Sequence, residues 1–147
     1  MDFRMMMRRY GPTVHLTPAG ELDLDGRAAL DEIQAGLDSS VAVVACDMRH
    51  LTFLDITGLN SLISFVRRLD ARGIAFFAYN WQTQPRRLLD LVDGLYPPAG
   101  PNGSPRRKPT TLLRRSLQDT VTARRAAGAA PVREAVPRWA AAAKPPG

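Results

Sequence analysis

Along the first 96 residues the spacing of apolar and polar positions changes several times, and each spacing predicts an element. Phe3, Met5 and Met7 alternate with Arg4 and Arg8, the period of a strand with one face covered. Val14 and Leu16 alternate with Thr13, His15 and Thr17, and Gly11-Pro12 between the runs supplies a turn, so the pair reads as a hairpin. Leu30, Ile33 and Leu37 fall at i, i+3 and i+7, one face of a helix that Asp25 can cap. Val41 to Cys46 is apolar without interruption, as a strand covered on both faces is. In the clearest helix, Leu59, Leu62, Ile63, Val66 and Leu69 form a stripe opposite Asn60, Ser61, Ser64, Arg67, Arg68 and Asp70, and Gly73 is placed to end it. Ile74 to Tyr79 repeats the buried-strand pattern. A third helix follows from Thr83, with Leu88, Leu89, Leu91, Val92 and Leu95 as its apolar positions and Gly94 near its end.

The order β-β-α-β-α-β-α predicts an α/β domain over residues 1–96. Its mixed sheet has four to five strands with helices packed against it. Two buried strands joined through a helix imply a right-handed parallel crossover, and the hairpin supplies an antiparallel edge.

Beyond residue 96 the composition shifts. Nine of the 12 prolines lie there, and alanine and glycine fill much of the rest. Residues 97–147 read as a Pro/Ala/Arg-rich linker and a largely disordered tail. Within it, residues 110–127 could form a helix through Leu112, Leu113, Leu117 and Val121. The net charge of +6 also belongs to this part. Residues 97–147 hold ten Lys and Arg against Asp119 and Glu134, whereas residues 1–96 hold ten against twelve acids.

Several function classes drop out. No apolar run approaches the roughly 20 residues that cross a bilayer. The first residues, broken by arginines, do not read as a signal peptide, so the cytoplasm is the expected compartment. Cys46 is the single cysteine, which excludes an internal disulfide. It reads as a core thiol, and His15 and His50 read as surface residues. Asp23, Asp25 and Asp31 read as a solvated face and a cap, and Trp81 as a partly buried ring past a strand end. No metal set, nucleophilic triad or glycine-rich phosphate loop assembles, so neither a metal nor a cofactor is expected. The domain reads as one that binds another protein and catalyses nothing.

The segment Leu51-Thr52-Phe53-Leu54-Asp55-Ile56-Thr57-Gly58-Leu59 joins a buried strand to the clearest helix. Thr57 therefore sits at or next to a helix N-terminus, where backbone N–H groups lack partners and the macrodipole is positive. A phosphate there would add roughly −1.5 to −2 charges to an exposed surface without unfolding the domain. Gly58 would leave space beside the hydroxyl for another protein's active site. Thr57 or Asp55 as a plain N-cap, with Gly58 in a tight turn, is the competing reading.

Gly20-Glu21-Leu22-Asp23, Val43 to Asp47, Phe53-Leu54-Asp55-Ile56-Thr57-Gly58-Leu59 and Gly73-Ile74 together resemble the STAS domain of bacterial anti-sigma factor antagonists. The resemblance covers roughly residues 3–96. In that family the motif reads Asp-Ser-[Ser/Thr]-Gly-[Leu/Val], and its third position is the hydroxyl phosphorylated by the partner. Asp55, Thr57 and Gly58 match its first, third and fourth positions, and Ile56 replaces the usual serine. The family's last strand and helix fall where this chain turns proline-rich.

The resemblance implies partner switching in transcription control. The unphosphorylated domain binds an anti-sigma factor that is itself a serine/threonine protein kinase, phosphorylation at Thr57 releases it, and a phosphatase resets it. Asp23, Asp55, Ile56, Thr57, Gly58, Asn60 and Ser61 are then the partner-binding residues. Two alternatives are a STAS scaffold that is never phosphorylated and nucleic-acid binding through the basic tail. The tail's only aromatic, Trp139, and its lack of a recognition motif argue against the second.

Overall fold

In the computed structural model, which describes residues 3–95 and 108–115, five strands form one mixed sheet and three helices pack against it. Strands β1 (Phe3–Tyr10) and β2 (Thr13–Leu22) form the hairpin, in register from Phe3 opposite Gly20 to Tyr10 opposite Thr13. The turn places Gly11 at φ 60°, a left-handed conformation that suits glycine. On the other side of β2 runs β3 (Val43–Asp47), parallel to it, and beyond β3 lies β5 (Ala75–Tyr79), also parallel. The sheet order is β1-β2-β3-β5.

A strand that the spacing did not predict, β4 (Leu51–Leu54), continues along the same flank of β2 as β3. Residues 13–16 of β2 pair with β3 and residues 20–22 with β4. Between these two stretches β2 carries Pro18, which has no N–H to give a parallel neighbour. The chain breaks there, at Met48–His50, and Gly20 N–H donates to the His50 carbonyl at 2.9 Å as pairing resumes. The Leu51–Leu54 strand is only four residues long and buries just its two end residues, so no two-residue periodicity registers in it.

Helix α1 (Arg27–Gly36) is preceded by a 3-10 turn, Leu24–Gly26. Asp25 does not cap the helix as expected; Asp23 caps the turn by accepting from Asp25 N–H at 2.9 Å. Helix α2 (Ile56–Ala71) buries Leu59, Leu62, Ile63, Phe65, Val66 and Leu69. Phe65 meets Phe76 of β5 edge-on, with ring centroids 6.4 Å apart. Both β3 and β5 bury three consecutive central residues, as continuous apolar runs require. Helix α3 (Thr83–Gly94) buries Leu89 and half-buries Leu88 and Val92, but Leu91 and Leu95 face outward. Met7 of β1 is likewise exposed, on the edge strand where it lines an open groove with Met5 and Ile33 of α1.

The chemistry-bearing residues outside α2 divide. Cys46 is buried, and desolvation pushes its thiol well above the ordinary range. His50 is exposed, whereas His15 is half-buried and shares a hydrogen bond with the Tyr79 hydroxyl, so it is not the surface residue expected. Burial pushes the Tyr79 phenol up to about 12, so it stays protonated.

Residues 108–115 pack back onto the domain through a second 3-10 turn, Thr111–Arg114. Leu113 is buried in the core, and Thr110 is fully buried. Asp93 of α3 accepts from Thr110 N–H at 3.2 Å, from the Thr110 hydroxyl, and from Arg114 Nε at 3.1 Å. The packed unit thus extends past residue 96. The helix expected over residues 110–127 takes the form of that short turn at its start, and residues 116–127 lie outside the described residues.

Candidate functional site

Asp55 is the N-cap of α2. Its backbone is extended, and its carboxylate Oδ1 accepts from Gly58 N–H at 2.7 Å. This satisfies one of the amides that the first helical turn leaves without partners. The same oxygen accepts from the Thr57 hydroxyl at 2.7 Å. Asp55 is thus the cap, and Thr57, the second residue of the helix, presents its side chain to solvent.

Gly58 has a different reason from the one expected. It is buried, and a Cβ built on it would stand 2.0 Å from the Leu22 carbonyl oxygen and 3.1 Å from Asp23 N. The glycine lets the start of α2 press against the end of β2. Asp55 N–H donates to that same Leu22 carbonyl at 3.3 Å, which ties the strand end to the helix start.

The other expected residues gather around this joint. Asp23 follows Leu22 directly and is committed to the 3-10 turn. Ile56 is 51% exposed, Asn60 is exposed, and Ser61, half-buried, donates its hydroxyl to the Thr57 carbonyl at 3.0 Å. Leu24, Arg27, Asp31, Thr57, Asn60, Ser61 and Ser64 line a groove of about 240 Å³ between the 3-10 turn, α1 and α2. Sequence reasoning missed Leu24, Arg27 and Phe53 as neighbours of the site. Leu24 and Phe53 are large apolar residues left 60% and 41% exposed, and nothing in their local spacing sets them apart from core positions. Asp31 was read as solvated and is exposed, but it carries two ion pairs, with Arg68 at 3.0 Å and Arg27 at 3.9 Å. No group of three or more His, Cys, Asp or Glu side chains among the described residues could hold a metal ion. No helix among the described residues is long and apolar enough to cross a membrane.

A mixed sheet with this strand order, and a capped helix start at its exposed joint, define a small α/β domain. The STAS domain family model matches residues 4–94, well over half of the chain, and the chain belongs to that family. The fold is shared with an anti-sigma factor antagonist from Mycobacterium paratuberculosis, at 19% identity and a TM-score of 0.51, over 84% of this chain and 95% of that one. It is also shared with Mglu, at 22% identity and a TM-score of 0.50, over 54% of this chain. This chain spans about a fifth of the length of Mglu (20%). No curated protein matches the chain in sequence.

Proposed function

We propose that this protein is an anti-sigma factor antagonist that binds an anti-sigma factor protein kinase and is switched off by phosphorylation at Thr57. One observation carries the reading: an exposed hydroxyl, fixed by Asp55 at 2.7 Å, at a joint where Leu24, Phe53 and Ile56 are 41–60% exposed. Large apolar side chains at a surface suit burial against another protein. In the phosphorylation step the Thr57 oxygen forms a bond to the γ-phosphorus of ATP. The bond to the β-phosphate oxygen breaks, ADP leaves, and the hydroxyl proton passes to the kinase's base.

The added phosphate carries roughly −1.5 to −2 charges beside the Asp55 carboxylate. Burying that charge against an apolar, fitted partner surface without a counter-charge would reverse the association, since a shift from mostly bound to mostly free takes on the order of 5 kcal/mol. The domain itself acts by binding its partner and catalyses nothing. A phosphatase would restore the binding form, and the cytoplasm is where such a partner would be met.

The experiment is intact-mass and phosphosite mapping after incubation with candidate anti-sigma kinases from the same cell and ATP. The expected result is one added phosphate on Thr57, absent in Thr57→Ala, with a weakened complex. Stable binding without phosphate would reduce the protein to a constitutive scaffold. Neither binding nor phosphate with any candidate would overturn the reading.

A further inference from the structure

The geometry points to Arg27 as the receiver of the Thr57 phosphate, in the groove between α1 and the first turns of α2; this rests on the reading of Thr57 as the acceptor. Before modification the Thr57 hydroxyl donates to Asp55 Oδ1. Once phosphorylated, the Thr57 Oγ1 carries no proton to donate, and the phosphate charge would lie against that same carboxylate. Like charges repel, so the modified side chain turns away from Asp55. Thr57 also lines the groove it shares with Arg27, Asn60, Ser61 and Ser64. At about 240 Å³ the groove is many times the roughly 10–15 Å³ of such volume that one water needs.

Arg27 is free to respond. Its Nε stands 3.9 Å from Asp31, at the limit of an ion pair, with its side chain 59% exposed. Asp31 keeps a closer partner, Arg68 at 3.0 Å, so moving Arg27 leaves no carboxylate uncompensated. A guanidinium presents paired N–H donors that match phosphate oxygens, and the Ser64 hydroxyl and the Asn60 amide add further donors on the same groove wall. The phosphate would thereby clamp the start of α1 to the start of α2. The switch would then change the shape of the partner surface near Leu24 as well as its charge.

The test uses the full chain with phosphothreonine installed at position 57 during synthesis, so that no kinase is needed. Phosphorus-31 NMR follows the second ionisation of the phosphate, ordinarily near pH 6, in the native chain, in Arg27→Gln and in Asp31→Asn. A nearby cation favours the dianion, so the native midpoint should lie about half a unit or more below that of Arg27→Gln. Asp31→Asn, which removes the competing carboxylate, should lower it further. Asp55 is present in all three chains and cancels from the comparison. Equal midpoints in the native and Arg27→Gln chains would overturn the assignment even if a kinase does modify Thr57. A Thr57 that no kinase modifies would count against the preceding proposal and leave this comparison decisive for its own claim.

Discussion

The Leu22 carbonyl oxygen occupies the space that a side chain on Gly58 would need: a Cβ there would stand 2.0 Å away, closer than real Cβ atoms come. The contact is backbone, so no rotamer change relieves it. The end of β2 and the start of α2 can meet only through a residue without a side chain, and that meeting places Asp23, Asp55 and Thr57 around one joint.

Gly58→Ala should therefore destabilise the domain by about 1–3 kcal/mol or more, the range for overpacking. Gly36→Ala is the control, because a Cβ there meets nothing within 4 Å. It should be neutral or stabilising by up to about 1 kcal/mol through helix propensity. Urea denaturation of the two variants measures both.

Asp55→Ala removes the acceptor for Gly58 N–H and for the Thr57 hydroxyl at once. Loss of an N-cap costs about 1 kcal/mol. Asp55→Asn keeps an acceptor oxygen at the same place and should recover most of that stability. If Asp55→Ala unfolds at the native urea midpoint, the cap does not support the helix.

The segment 108–115 is a structural part of the domain. Leu113→Ala should cost about 2–5 kcal/mol as a core truncation. Ending the chain at residue 107 should cost at least as much, because Asp93 would also lose the Thr110 and Arg114 donors that hold its buried carboxylate. Thermal melts of full and shortened chains check this. Equal melting temperatures would show that the segment adds nothing.

His15 gives stability a pH dependence. Desolvation by burial lowers its pKa below the ordinary 6.5, helped by Arg8 and opposed by Asp47. The unfolded chain thus binds its proton more readily than the folded one, and stability rises with pH up to about 6.5. His15→Gln, which can still hydrogen-bond Tyr79, should flatten that rise. At Asp38 the sign is the same and the window lies lower. Hydrogen bonds from Ser40 and Arg9 hold its carboxyl at about 2, so its contribution is present above the ordinary 3.8 and is lost as pH falls toward 2. Denaturation midpoints measured across pH 2–7.5 would separate the two windows.

Much of the fold was legible because it rests on local repetition. The stripe of α2, the continuous runs of β3 and β5 and the Gly11-Pro12 turn each reflect a periodicity or conformation that neighbouring residues impose on one another. The same logic placed Thr57 at a helix start. It failed where a residue's partner is distant in sequence. β4 exists because residues 20–22 of β2 offer it a ladder past Pro18, not because of four residues of its own.

By itself, then, the sequence determined the α/β class, the elements other than β4 and the 3-10 turns, and the Asp55–Gly58 motif, since hydrogen bonding and amphipathic spacing act over a few residues. The tertiary structure alone decided that Gly58 serves packing against Leu22, that His15 is half-buried against Tyr79, and that Leu113 closes the core. It also decided that Arg27 and Thr57 share one groove. Each of these depends on steric exclusion, burial or charge between residues that chain separation keeps apart until the sheet forms.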